Sequence, residues 1–361
     1  MNDKINKLKK ELFDKKTNID AAVITSQVNR RYFSSFNSSD GFLVITREKS
    51  YLLLDFRYIE AASRQVNDID VVLYNKLSET MADIFNEHNI KNVVFENELM
   101  TLKEADYFDT LLKAKGVNPI FNRDLDYIIE NLRIIKTEDE ILKIKRAQEI
   151  TESALRNTLK IVKPGVKERD LALEIEFFMK KNSAEDIAFD LIVVSGKNSS
   201  LPHGVPSDKK LEYGDLITFD IGAVVDGYHS DMTRTVSLGK ASDEHKKVYN
   251  TVLEAQKLAI DGVRAGVKCF TIDSLARNYI YNNGYKGCFG HSTGHGVGIM
   301  IHENPTVSSL SNTVLEPNMV ITVEPGIYLK NKFGVRIEDM LIVKQNGYEN
   351  ITNFEKNLIE L

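Results

Sequence analysis

Apolar residues along this chain switch between two spacings, and the switch divides it in two. Through the first third, short apolar runs recur: AAVIT (21–25), FLVIT (42–46), YLLLD (51–55), IDVVLY (69–74) and NVVFE (92–96). Runs of this length, rich in β-branched and aromatic residues, predict strands. Helical spacing falls between them, around 77–88 and 101–114, and at the N-terminus, where Ile5, Leu8 and Leu12 recur among lysines. The alternation predicts a small α/β domain over residues 1–127. The stretch Asn122 to Arg133 is the expected connector. Beyond it, Thr137-Glu138-Asp139-Glu140 has the form of a capping box, in which Thr137 and Glu140 satisfy each other's free amides. The helix it opens carries Ile141, Ile144, Ala147, Ile150 and Ala154 on one stripe and is expected to stop near Pro164-Gly165.

Residues 134–361 form the second expected domain, and they contain an internal repeat. LEYGDLITFDIGA (211–223) matches LEPNMVITVEPGI (315–327) at an offset of 104 residues, so that Asp220 falls on Glu324. Upstream, KPGVK (163–167) resembles RAGVK (264–268). Two matches in the same order predict two copies of one unit, helix, helix, then antiparallel strands, over 137–238 and 241–345. The offset far exceeds solenoid periods, so two pseudo-symmetric halves around one core are expected rather than an array.

Within the first copy, FDIGAVVDGYHSDMTRT (219–235) places Asp226-Gly227 between apolar runs, the strongest short-range hairpin signal. A two-residue loop there makes facing residues add to 453 in number. Asp220 then lies opposite Thr233, and Asp231 opposite Gly222. Side chains alternate with period two, so all four share one face unless a bulge intervenes. Two carboxylates become diagonal neighbours in strand sequence that is apolar on both faces. Buried like charges must share a proton or meet a cation.

Composition narrows the partners. The chain has 361 residues, 42% of them hydrophobic, enough for two domains with cores of their own. A net charge of −5 gives no basic field for nucleic acid. Lysine pairs such as Lys9-Lys10 and Lys246-Lys247 are expected on solvated faces. No apolar signal-peptide core follows Met1 and no run of 18 apolar residues occurs, so neither export nor a membrane span is expected. Two cysteines, Cys269 and Cys288, make no disulfide framework and fit a reducing, cytoplasmic setting.

If Asp220 and Asp231 hold a metal, the repeat requires acids in the matching strands of the second copy. Glu324 replaces Asp220, and GVRIEDMLIV (334–343) carries Glu338 where the first copy carries Asp231. Four of the seven histidines lie in two glycine-containing segments: His203 in SGKNSSLPHG, and His291, His295 and His302 in HSTGHGVGIMIH. Glycine there lets the backbone come close to a ligand or another strand. His88 and His245 sit in polar helical surroundings without an expected role. His229, two residues from Asp231, is a possible neighbour of the site. Four carboxylates balance two divalent ions, with one neutral imidazole completing the set. Oxygen donors with one nitrogen suit Mn²⁺, Co²⁺, Fe²⁺ or Zn²⁺. Two such ions about 3.5–4 Å apart activate a bridging water and stabilise a developing oxyanion, so metal-assisted hydrolysis of a carbonyl compound is the expected chemistry.

Asp220, Asp231, His295, Glu324 and Glu338, in the contexts FDIGA, SDMTRT, HSTGHG, TVEPGIY and GVRIED, resemble the five metal ligands of the pita-bread metallopeptidases, of the aminopeptidase P and Xaa-Pro dipeptidase (prolidase) type. The likeness covers the whole second domain, with a weaker match in the first. It implies an α/β N-terminal domain and an α+β pita-bread catalytic domain. Asp231 and Glu338 would bridge two divalent ions, with Mn²⁺ favoured. Asp220 would hold one ion, and His295 and Glu324 the other. Glu324 would also carry the proton to the leaving nitrogen. His203 and His302 would contact substrate and oxyanion, with His291 nearby. Arg336, two residues before Glu338 on one strand face, is expected to orient that carboxylate. The resemblance further implies small peptides with proline in second position as substrates, and a homodimer. An Xaa-Pro bond is a tertiary amide with no N–H, so a site that acts on it cannot rely on that donor.

Four other readings compete. Methionine aminopeptidase shares the ligands but lacks the first domain and the Arg-Ile-Glu-Asp context. A creatinase-like hydrolase uses the fold without metal, and a binding scaffold loses ligands; here all five are present. Between the two Xaa-Pro enzymes, the look of HSTGHGVG and TVEPGIY favours the aminopeptidase, with the dipeptidase as the alternative.

Overall fold

Six strands in the first unit, which extends to Arg133, form one mixed sheet in the order Asp70–Leu73, Ser50–Leu54, Phe42–Thr46, Ala21–Ile24, Asn92–Phe95, Asn118–Phe121. The computed structural model describes residues 3–16 and 18–361; Met1, Asn2 and Thr17, inside the expected first domain, lie outside the described residues. Ala21–Ile24 and Ser50–Leu54 are buried along their whole length. Strands covered on both faces read as continuous apolar runs rather than alternation, which is why the sequence displayed them so plainly. The helices Leu77–Glu87 and Leu102–Lys113 cover the sheet, packing Met81, Phe85, Phe108 and Leu112 against Val44, Leu53, Val93 and Phe95. Asn118–Phe121, absent from the sequence-read strands, pairs parallel to Asn92–Phe95 and carries Pro119, a residue tolerated at a sheet edge.

The expected connector is instead a helix, Asp124–Ile134. Nothing between Asn122 and Ile134 breaks a helix, and the Asn122 side chain accepts from the Asp124 amide at 3.0 Å. Its polar residues hid a buried stripe of Leu125 and Ile129. The second unit begins at Ile134. Its first helix, Glu138–Thr158, opens on the expected capping box, with Thr137 N donating to Glu140 Oε2 at 2.8 Å. The stripe Ile141, Ile144, Ala147, Ile150 and Ala154 is buried.

The repeat is structural. Helices Glu138–Thr158 and Glu168–Lys181 precede the strands of the first half, and helices Asp243–Asp261 and Cys269–Ile280 precede those of the second. Gly165 and Gly266, matching residues of KPGVK and RAGVK, both take positive φ, at 87° and 83°. Each donates its amide to the matching leucine carbonyl, Gly165 to Leu211 at 2.9 Å and Gly266 to Leu315 at 2.8 Å. The halves keep separate cores: Leu171, Ile175, Ile217 and Phe219 in one, Val252, Ile272, Ile321 and Leu341 in the other.

Candidate metal centre

The first hairpin has the register its turn dictates. Asp226 and Gly227 take φ of 49° and 82°, so both central residues are left-handed, as a two-residue turn matched to strand twist requires. Val225 faces Tyr228 and Val224 faces His229. Farther down, Asp220 faces Thr233, with no register shift in the long pairing from Met232 to Ser237. At Gly222 a Cβ would collide with the Ser230 carbonyl, so only glycine admits this approach.

In the second half the pairs Val323–Asp339 and Gly326–Arg336 each add to 662 in number, which puts Glu324 and Glu338 across from one another. The two hairpins are stitched together at the acids. Glu338 N donates to Thr233 O at 3.1 Å, and Thr233 Oγ1 donates to Glu338 Oε2 at 2.8 Å. The fifth residue, His295, sits in the short strand Gly294–Gly296. A Cβ at Gly294 would strike the Thr322 carbonyl, and one at Gly296 the Asn304 carbonyl, so glycine on both sides lets this strand enter the sheet. His295 Nδ1 lies 3.0 Å from the Gly296 carbonyl, which makes it the protonated nitrogen. Nε2 keeps its lone pair and lies 3.5 Å from both Asp231 Oδ2 and Glu324 Oε1.

The electrostatics call for a cation. Asp231 and Glu338 are 4% and 1% exposed. Burial first, then Asp220 and Glu324, pushes the Asp231 carboxyl well above its usual range. Glu338 is pushed the same way by burial, then by Asp231 and Glu324. Asp220 Oδ1 and Glu338 Oε1 are buried with no hydrogen-bond partner among the described residues, although each carboxylate's other oxygen has one. Orphaned buried oxygens are costly unless something else meets them. Asp231, His295 and Glu338 each present a ligand atom, all within 4.8 Å of one another. The donors, carboxylate oxygens and one imidazole nitrogen, fit a divalent ion.

The model of metallopeptidase family M24 matches residues 142–345, and that of the creatinase/prolidase N-terminal domain matches residues 4–135. The chain belongs to metallopeptidase family M24. An Xaa-Pro dipeptidase of Pyrococcus horikoshii is 39% identical over 360 residues, 99% of each chain. Among solved structures, an Xaa-Pro dipeptidase from Bacillus anthracis superposes with a TM-score of 0.93 at 42% identity, covering 99% of both chains. An X-Pro aminopeptidase from Thermotoga maritima superposes at 0.89 with 37% identity, covering 95% of this chain and 98% of that one.

In this M24 chain all nine residues singled out from the sequence line one cavity of about 560 Å³: His203, Asp220, Asp231, His291, His295, His302, Glu324, Arg336 and Glu338. Phe189 and Ile192 give it an apolar wall. The His302 ring stands edge-on to His295 with centroids 4.4 Å apart. Burial, then His295 beside it, lowers the His302 pKa; burial also lowers that of His291. Both imidazoles are therefore neutral near pH 7. His203 is exposed at the cavity mouth.

One expectation is corrected. Arg336 does not pair with Glu338. Its guanidinium reaches across to the first hairpin and meets Asp220 Oδ2 at 2.5 Å. It also donates to Thr233 Oγ1 at 3.1 Å, the Tyr328 hydroxyl at 2.8 Å and the Pro202 carbonyl at 3.2 Å. Arg336 touches Glu338 only through Thr233, whose hydroxyl serves both. The strand ends at Arg336, so the face rule that placed it beside Glu338 stops applying there. His229 points away as well: its amide and Nδ1 both lie near the Gly298 carbonyl, at 2.9 and 3.2 Å. Tyr328 is the residue that sequence reading missed. Its hydroxyl joins Arg336 to His291 Nε2 at 2.9 Å. Its only signal was its place in TVEPGIY beside Glu324.

Proposed function

We propose that the protein is an Xaa-Pro dipeptidase (prolidase), releasing an N-terminal residue from proline. The observation that carries this reading is the pairing of an intact five-donor set with full-length likeness to proteins named Xaa-Pro dipeptidase. That likeness favours the dipeptidase over the aminopeptidase that the local motifs suggested. The superposition on an X-Pro aminopeptidase keeps that activity as the second reading.

In this reading Asp220, Asp231, His295, Glu324 and Glu338 hold two divalent ions, Mn²⁺ on the hardness of the oxygen donors. Bound there, the ions would supply an activated water and positive charge for a developing oxyanion. His302 and His203 donate N–H to the carbonyl oxygen as negative charge develops on it. Glu324 takes the proton from the attacking water and returns it to the prolyl nitrogen as the C–N bond breaks. Arg336 and Tyr328 fix Asp220 and His291 in place. The apolar wall of Phe189 and Ile192 excludes water from the cavity. Both cysteines are free, which suits a reducing cytoplasm, and the family resemblance supports a homodimer.

The test is a side-by-side assay with Mn²⁺, giving Ala-Pro, Ala-Pro-Ala and Ala-Ala and following free alanine. Cleavage of Ala-Pro alone makes the protein a prolidase. Cleavage of Ala-Pro-Ala at its first bond makes it an aminopeptidase P. Preferential cleavage of Ala-Ala overturns both.

A further inference from the structure

Several buried carboxylates lie outside the five-donor set and have no part in the chemistry above, and one of them holds a loop of the cavity. Glu168, at the start of the helix Glu168–Lys181, is 0% exposed. Its Oε1 accepts from the Ser195 amide at 2.6 Å and the Ser195 hydroxyl at 2.8 Å. Its Oε2 accepts from the Ser207 amide at 3.1 Å and the Ser207 hydroxyl at 2.6 Å. Asn198 Nδ2 lies between, at 3.2 and 3.3 Å from the two oxygens. One carboxylate therefore closes both ends of the loop between Ser195 and Ser207, and that loop carries His203.

The rest of the loop is held in keeping with this. Lys209 Nζ braces Ser195 Oγ at 2.9 Å and Asp215 at 2.6 Å. Gly334 N donates to Ser199 Oγ at 2.9 Å, and Arg336 donates to Pro202 O, the residue before His203. The His203 side chain itself is exposed and makes no hydrogen bond among the described residues. Whatever order it has comes from the loop's anchors.

We propose that Glu168 is a positioning residue for peptide hydrolysis: it closes the loop 195–207 and so sets where His203 stands over the cavity. The proposal rests on the reading of His203 given under the proposed function. A carboxylate suits this place because all its neighbours donate, and two oxygens match two chain ends. An amide of the same size would turn an NH2 toward donors at one end. Displacing a substrate-contacting group by about 1 Å costs about 10²-fold in rate.

The experiment compares Glu168→Gln, His203→Ala and their double variant in the full-length Mn²⁺-loaded protein. It measures kcat/KM on Ala-Pro, bound metal, and hydrogen exchange of peptides spanning 195–207. We expect Glu168→Gln to keep its metal, to exchange faster in that loop, and to lose about 10²-fold in kcat/KM. Added to His203→Ala, it should cost nothing further, because its effect passes through His203. Losses that multiply in the double variant, or loop exchange equal to wild type, overturn the proposal. Ser207→Ala removes part of the clamp without emptying a buried carboxylate's site. It carries the same expectation at smaller size if Glu168→Gln fails to fold. Failure of the functional reading shows in the wild type alone, as absence of Xaa-Pro cleavage.

Discussion

Arg336 and Asp220 form a partly buried ion pair of 2.5 Å across 116 residues of chain, joining the last strand of one hairpin to the first strand of the other. One oxygen of Asp220 is thereby taken, and the other has no hydrogen-bond partner among the described residues. The same guanidinium serves Thr233, Tyr328 and Pro202. Lysine keeps the charge but not the planar fork. Arg336→Lys is expected to retain metal and lose about 10²-fold in kcat/KM through misplacement of Asp220. Metal analysis beside steady-state kinetics checks it; unchanged turnover would remove Arg336 from the site.

Asp231 and Glu338 are buried and held above the usual carboxylate range by burial first and then by neighbouring carboxylates, a penalty that a cation would relieve. Metal at about a hundred times its Kd should stabilise the wild type by about 2.7 kcal/mol. Asp231→Asn should abolish that gain and all activity, yet melt no lower than metal-free wild type. Thermal melts with and without Mn²⁺ decide it. A rise in melting temperature of Asp231→Asn on adding Mn²⁺ would contradict the bridging role.

His302 stands against His295 but has no place among the donors. His302→Ala should therefore keep its metal content and lose about 10²–10³ in kcat, the scale of one missing oxyanion donor. Metal analysis and saturation kinetics on Ala-Pro measure both. Normal turnover would take His302 out of the mechanism.

Gly294 has no room for a Cβ against the Thr322 carbonyl. Gly294→Ala should push the His295 strand away from its neighbour, at a cost of about 1–3 kcal/mol, and weaken metal binding with it. Denaturant unfolding and metal titration of the variant report the two effects. Wild-type values for both would show that the strand has slack.

In the first unit, burial, then the Glu98 carboxylate, raises Glu130 from 4.5 to about 7. The native state binds this proton more tightly than the unfolded chain does. The contribution is therefore full below pH about 4.5 and is lost as pH rises through about 7. Glu130→Gln should flatten that part of the stability profile and be the more stable form at pH 8. Melting curves of both proteins across this range test the sign; parallel profiles would refute it.

The sequence by itself determined the hairpin register, the repeat and five acid and imidazole side chains that line one cavity. Each is written in local terms. A turn with two left-handed residues and a period of two fixes which strand residues share a face, and it placed Asp220 opposite Thr233 without reference to the rest of the chain. The repeat then carried the pattern to Glu324 and Glu338. Helix Asp124–Ile134 was illegible for the opposite reason: its apolar residues are interleaved with charged ones, two of which, Asp126 and Arg133, are themselves buried. Only the tertiary structure decided what long side chains reach. Arg336 chose Asp220 over the nearer Glu338, Tyr328 joined His291, and Glu168 closed a loop some thirty residues farther on. An extended side chain meets whatever strand or loop packs across from it, and that packing is set by the whole core rather than by neighbours in sequence.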